Sequence, residues 1–151
     1  MAEACSLYIA TTEDPARLKK LSKGFNVSEE EVTCYGYRSD KRGPYCKTCK
    51  MSDCAAQKGI DFCVSCNEYP CDEIKRFQSA APHRIEIWKD QERIKEVDFE
   101  NWLKDARKNY SCPECGVLNS AYDFACRKCG EAPSCNYVAK HKEAVEKHIK
   151  K

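Results

Sequence analysis

The sequence predicts a small metal-stapled α+β or irregular fold, built of short helices and Cys-rich loops with a helical connector and a C-terminal zinc ribbon. Three observations lead there. The chain of 151 residues holds 13 cysteines, most of them in C-x2-C pairs. Leu, Ile, Val and Phe together number 24, about a sixth of the chain and below the range of an ordinary packed domain. Charge is balanced, 26 basic against 24 acidic residues, so the shortage of core does not come with the self-repulsion that keeps a chain disordered. Domains short of apolar core are closed instead by disulfides, metals or association.

Redox compartment decides between the first two. The sequence has no apolar window of about 18 residues, and Met-Ala-Glu-Ala-Cys-Ser lacks the basic and apolar regions of a secretory signal. A cytoplasmic location without a membrane partner is therefore expected. Cytosolic thiols stay reduced, and an odd total of 13 leaves one unpaired in any all-disulfide scheme. Metal ligation is the expected role of the cysteines.

The N-terminal unit, residues 1–80, opens with helix punctuation. Asp14 is a candidate N-cap, Pro15 suits the first helical position, and Leu18 and Leu21 share a face before Gly24 ends the run. Ser28 with Glu31 has the form of a capping box, which predicts a short helix over 28–33 that delivers Cys34. Gly36, Gly43 and Pro44 mark a loop from Tyr35 to Tyr45. The centre of the unit is an internal repeat: Cys46-x2-Cys49-x4-Cys54 recurs 17 residues later as Cys63-x2-Cys66-x4-Cys71, each preceded by an aromatic residue, Tyr45 or Phe62. Nothing apolar in so short a repeat could hold it closed, so its shared thiols read as metal ligands. Ser52 to Lys58 is expected to form about two helical turns ended by Gly59, placing Cys54 on a helix.

Residues 81–110 form the predicted connector, inside a cysteine-free stretch (72–111) that carries nine basic and nine acidic side chains. Pro82 begins a helix in which Ile87, Ile94 and Val97 recur near helical spacing. Asp98 restarts it, and Phe99, Trp102, Leu103, Ala106 and Tyr110 follow as an i, i+3, i+4, i+7, i+11 stripe. Trp88 and Trp102 lie in this pattern and are expected to pack against a cysteine module.

Residues 111–151 carry Cys112-Pro-Glu-Cys115-Gly and Cys126-Arg-Lys-Cys129-Gly, ten residues apart. Each C-x2-C-G turn points two thiolates the same way, with Gly where an unusual backbone angle is needed, and two such knuckles complete a tetrahedron. Beyond Pro133, residues 136–150 read as a terminal helix with Val138, Val145 and Ile149 on one stripe.

The run Cys5-Ser-Leu-Tyr-Ile-Ala-Thr, the Cys34-Tyr-Gly segment before Arg38-Ser39-Asp40, the doubled C-x2-C-x4-C and the ending Glu68-Tyr69-Pro70-Cys71 together resemble the cysteine-rich family catalogued as domain of unknown function 3795. The likeness covers residues 5 to about 78. The Pro82-His83-Arg84 segment, Trp102-Leu103 and the C-terminal ribbon resemble an extension carried by some members. The resemblance implies a cytoplasmic, metal-binding prokaryotic protein without an established activity, and supplies no catalytic residue. Members usually have two further cysteines ahead of the one matching Cys5, and a cysteine where this chain has Tyr37.

Cys5 and Cys34 bring the N-terminal thiols to eight, which with the four of the ribbon makes sites for about three zinc ions per chain. Cys135 is left as a free or buried thiol. Spacing permits two arrangements of the eight. Cys46, Cys49 and Cys54 can share one ion and Cys63, Cys66 and Cys71 another, each completed by Cys5 or Cys34. Alternatively the two C-x2-C pairs share an ion across a loop of 13 residues, leaving Cys5, Cys34, Cys54 and Cys71 to build the second. Zinc suits closed thiolate sites, with an iron-sulfur cluster as the competitor; the repeat matches neither the C-x2-C-x2-C nor the C-x4-C-x2-C cluster run.

Because every expected site is saturated by cysteine, with no His or carboxylate leaving an open coordination position, the leading function is non-enzymatic: a zinc-binding protein-interaction or regulatory module with a protein partner and no defined small-molecule substrate. His83, His141 and His148 are scattered and read as solvated or capping groups. Nucleic-acid binding by the ribbon is an alternative, although residues 112–151 carry seven basic against five acidic side chains, weak for tracking phosphates. The basic set is Lys140, Lys142, Lys147, Lys150 and Lys151 on the terminal helix. The third reading is a redox or metal-handling protein with an iron-sulfur or redox-sensitive zinc site.

Overall fold

The computed structural model describes residues 3–149, the side chain of Ile149 apart, and there the chain is mostly helical. The expected β component is not found: strand pairing among the described residues is confined to one isolated antiparallel bridge, Ser111 with Leu118. The physical reason is local, since that bridge closes a knuckle only a few residues long, and the chain beyond it turns away into the second knuckle.

Helices α1 (Ser6–Thr12), α2 (Pro15–Phe25) and α3 (Glu29–Val32) open the chain. The sequence reading assigned no helix to α1. It is seven residues long, its N-cap Cys5 makes no side-chain cap, and burial of Leu7, Ile9 and Ala10 holds it in place. Asp14 caps α2 by accepting the Arg17 N–H, as its position predicts. The helix runs through Gly24, however, and its left-handed terminator is Asn26, φ 55 and ψ 45, a conformation that Asn tolerates better than other side chains. The Ser28 and Glu31 capping box forms in both directions. Leu7, Val32 and Cys34 make the buried cluster of this region, with Leu18 and Leu21 against it.

Helix α4 (Pro44–Lys47) starts from Gly43, inside the expected loop, with Pro44 in its first turn. α5 (Lys50–Gln57) carries Cys54 and gives way to Gly59, φ 62. α6 (Asp72–Ser79) follows Cys71, which occupies its N-cap position. In the connector, Pro82–Arg84 is a single 3-10 turn rather than the start of the helix. α7 (Ile87–Val97) begins beyond it, and Asp98, at φ 74, breaks the chain before α8 (Phe99–Tyr110) and accepts the Asn101 N–H. Ile94, Trp102 and Ala106 form a second buried cluster, and Phe62 from the repeat packs on it. Trp102 is core, with its Nε1 donating to Asp90 at 3.0 Å, while Trp88 is half-buried against Tyr69, 5.6 Å between centroids.

The last helix, α9 (Asn136–Ile149), is interrupted at His141, φ −116 and ψ 18. Val138 and Val145 are buried on it as expected; the placement of Ile149 on their stripe, with Lys150 and Lys151, lies outside the described residues. Ala121, Cys135, Tyr137 and Val138 form the third cluster. No helix among the described residues is long and apolar enough to cross a membrane.

Polar ties join these modest cores. The buried Glu86 carboxylate accepts from Lys140 Nζ at 2.5 Å, from Asn109 Nδ2 at 3.0 Å and faces His141 Nε2 at 3.2 Å, connecting the start of α7 to α8 and α9. Burial raises its proton affinity, and the hydrogen bonds from Lys140 and His141 outweigh that, leaving it below the usual carboxylate value. His141 is therefore a packed group and not a solvated one. His83 is exposed and meets the Tyr122 hydroxyl through Nδ1. Arg17 on α2 makes two hydrogen bonds, 3.2 and 2.9 Å, to the carboxylate of Asp123 in the C-terminal segment.

Candidate metal centre

The C-terminal site is assembled from two loops of the same construction. In the first, Cys112 N–H donates to Val117 O at 2.9 Å and Gly116 N–H returns to Cys112 O at 3.0 Å; in the second, Cys126 N–H donates to Glu131 O at 2.7 Å and Gly130 N–H to Cys126 O at 2.9 Å. Gly116 and Gly130 sit at φ 71 and φ 80, where a Cβ would be strained. Each loop thus presents the two thiols of its C-x2-C pair on one side.

Cys112, Cys115, Cys126 and Cys129 come together with all four Sγ atoms within 4.8 Å of one another. The Cys112–Cys129 and Cys115–Cys126 sulfur separations are 3.5 and 3.6 Å. Four thiolates around a zinc ion at about 2.3 Å span tetrahedral edges of about 3.8 Å, so these two edges lie within a few tenths of an ångström of the required length and every other edge is at most about 1 Å longer. The donor set is four soft sulfurs, which suits zinc or a single iron.

The surroundings favour thiolate. Burial raises the Cys126 thiol, but backbone N–H groups of Cys129 and Lys128 outweigh it and draw that thiol below its ordinary value. The Lys128 N–H lies 3.5 Å from Cys126 Sγ. Cys129 moves the other way: an N–H from Glu131 lowers it, yet burial and the hydrogen bonds of the other three sulfurs raise it overall. Within one pair of loops, then, Cys126 is drawn toward thiolate and Cys129 toward thiol.

Asn119, which the sequence reading did not single out, organises this site. It is fully buried; its Nδ2 donates to Val117 O and Ser134 O, each at 3.1 Å, and lies 3.8 Å from Cys126 Sγ, while its Oδ1 accepts the Arg127 N–H at 3.0 Å. One amide therefore joins both knuckles to the chain leading into α9. Nothing in an isolated Leu-Asn-Ser run signals this role, because it depends on which carbonyls the fold brings near. Cys135 lies next to the site, buried, with burial raising its thiol, and behaves as a core residue.

The eight remaining thiols are placed as follows. Cys5 is exposed at the start of α1, and Cys34 is buried beyond α3. Cys46 lies on α4, Cys49 is buried at the start of α5, and Cys54 is on α5. Cys63 opens a 3-10 turn that ends at Cys66, and Cys71 precedes α6. Among the described residues they do not close into a group as tight as the C-terminal four. Polar donors nevertheless point at their sulfurs: the Tyr37 hydroxyl lies 3.9 Å from Cys49 Sγ, and Lys58 Nζ lies 3.3 Å from Cys66 Sγ and 2.8 Å from Glu68 Oε2.

The family described as a protein of unknown function, DUF3795, matches residues 1–76, half of the chain. The chain belongs to this family. The DUF3795 portion thus takes in the repeat and ends inside α6, and the C-terminal four-cysteine group lies beyond it. No curated protein and no solved structure matches the chain.

Proposed function

We propose that this DUF3795 protein is a non-enzymatic, cytoplasmic zinc protein whose thiolate sites hold a surface for a protein partner. The observation that carries the reading is the C-terminal group itself. Four sulfurs gathered within 4.8 Å of one another can saturate a zinc ion and leave it no position for substrate or water, which is the structural rather than the catalytic form of such a site. The ribbon is then a zinc ribbon in function, and its ion a folding element.

A second observation supports the partner. Of the six exposed large hydrophobic side chains among the described residues, Phe25, Val27, Tyr35, Tyr37 and Tyr45 fall within residues 25–45, Tyr45 being 63% and Tyr35 57% exposed. Phe25 and Tyr45 already touch edge to face, 5.7 Å between centroids. Exposed aromatics gathered beside cysteine loops are the residues that anchor protein interfaces.

Protein purified without oxygen should contain zinc by elemental mass spectrometry and show no visible absorption. A photo-cross-linking residue at position 45 should trap a discrete protein in cells, and trapping should vanish when zinc is stripped. Hydrolysis of simple ester or phosphate substrates by the zinc-loaded protein, lost on Cys115→Ser with the fold kept, would overturn the reading.

A further inference from the structure

Resting on the reading that the N-terminal thiols also bind metal, we propose that they divide into two four-thiolate sites for a divalent ion such as zinc: Cys5, Cys34, Cys46 and Cys49 in one, and Cys54, Cys63, Cys66 and Cys71 in the other. This division corresponds to neither arrangement that spacing suggests, because it cuts the first half of the repeat between Cys49 and Cys54.

The first group is built by α1 and the two ends of the 34–46 loop. The Cys34 N–H donates to Thr11 Oγ1 on α1 at 2.9 Å, and Cys34 shares a buried cluster with Leu7, two residues after Cys5. Gly43 lies against the same thiol: a Cβ built there would stand 3.6 Å from Cys34 Sγ and 2.7 Å from Leu7 Cδ1. Gly43 O in turn accepts the Cys46 N–H at 2.9 Å, so the turn that starts α4 brings Cys46 to Cys34. Cys49 follows on the same short stretch, buried, with the Tyr37 hydroxyl near its sulfur.

The second group is built by α5 and the loop beyond it. Lys58, the C-cap of α5, follows Cys54 by four residues and so lies on the same side of the helix's last turn. From that side the Lys58 ammonium reaches Cys66 Sγ at 3.3 Å, which brings Cys54 alongside the Cys63–Cys66 turn. Helix geometry separates Cys54 from Cys49: Cys49 is the buried residue before α5 and Cys54 is exposed in its middle. Beyond Cys66 the Tyr69 N–H donates back to Cys66 O at 3.0 Å, and this turn keeps Cys71, two residues further on, beside the pair. A site of four thiolates around a divalent ion carries two net negative charges, and Lys58 at Cys66 is placed to offset part of that. Filling each site releases the thiol protons to solvent, so uptake of metal acidifies a weakly buffered solution.

The test uses the full chain, purified without oxygen and loaded with cadmium-113, and reads which cysteine β-protons couple to each cadmium nucleus. Three cadmium signals are expected: one coupled to Cys5, Cys34, Cys46 and Cys49, one to Cys54, Cys63, Cys66 and Cys71, and one to the C-terminal four. A signal coupled to both Cys49 and Cys54, or to both Cys49 and Cys63, overturns the division while leaving N-terminal metal binding intact. A single signal, from the C-terminal four alone, overturns both. Metal counting on Cys54→Ser/Cys63→Ser gives an independent reading: this division predicts loss of one ion, whereas both arrangements suggested by spacing predict loss of two.

Discussion

Between Cys112 and Cys129 four thiols are gathered by two loops that their own backbone closes, whereas between Cys5 and Cys71 eight thiols arrive from separate helices and turns. In the first region local hydrogen bonds set the sulfur positions before any ion is present, and the sulfurs already lie within 4.8 Å. In the second, the elements that carry the thiols are three to eight residues long and have little apolar surface to fix their mutual placement. Preorganisation thus belongs to the knuckles, and at the N-terminal sites proposed above an ion would have more of the work of drawing its ligands together.

Metal removal should separate the two regions most widely. A structural zinc site contributes on the order of 10 kcal/mol to folding. Stripping it should unfold both halves, with amide dispersion lost first in residues 44–71 and last in the knuckles. Amide spectra recorded along a chelator titration check the order, and a C-terminal segment that melts first breaks the comparison.

Asn119→Leu comes next. It leaves the carbonyls of Val117 and Ser134 and the Arg127 N–H without their partner in a buried place, at a cost of about 1–3 kcal/mol. Denaturant midpoints measured on the zinc-loaded protein should fall accordingly, with metal stoichiometry retained.

Two glycine substitutions sharpen the contrast further. Gly130→Ala meets nothing within 4 Å, so its cost, about 1 kcal/mol, comes entirely from the φ of 80. Gly43→Ala has an ordinary φ of −63 but sets a methyl 2.7 Å from Leu7 Cδ1, and costs about 1 kcal/mol or more through displaced packing. Gly130→Asn should recover part of the first loss and Gly43→Asn none of the second, as thermal melts would reveal.

The smallest effect concerns Glu86. Its carboxyl sits below the ordinary value of 4.5 in the folded protein, so its contribution is complete above that value and is lost as pH falls through the lowered one. The stability gap between the parent and Glu86→Gln should be widest above about pH 5 and close on acidification. A gap that stays constant into acid would show that Glu86 acts through packing alone.

Much of the local architecture was legible because it rests on signals confined to a few residues. The Asp14 cap, the Ser28–Glu31 box, the Asp98 restart and the Gly116 and Gly130 angles each follow from side chains that act on their own backbone. So does the C-terminal four-cysteine group, whose two pairs are close in sequence. What escaped was decided at a distance. α1 lacks a side-chain cap and forms because Leu7, Ile9 and Ala10 are buried. Gly24 failed to end α2 because an Asn two residues on could adopt the left-handed turn. The β component failed because the loops of the C-terminal four-cysteine group close on themselves after a single bridge. Asn119 was invisible because its partners converge only in the fold.

The contact between Arg17 and Asp123 bears on how such a chain can be inherited. Both side chains are largely covered, 16% and 14% exposed, and they join α2, inside the family portion, to the C-terminal segment that lies outside it. Arg127 reaches back to Glu13 and Arg107 to Glu3 across the same seam. A lineage that lost the C-terminal segment would leave Arg17 with Asp14 as its acidic neighbour and without the bidentate partner Asp123, and one that gained the segment needed an acidic residue opposite it. The two parts are therefore expected to vary in step at these positions, so that residue 76, where the family match ends, is not the edge of an independent body.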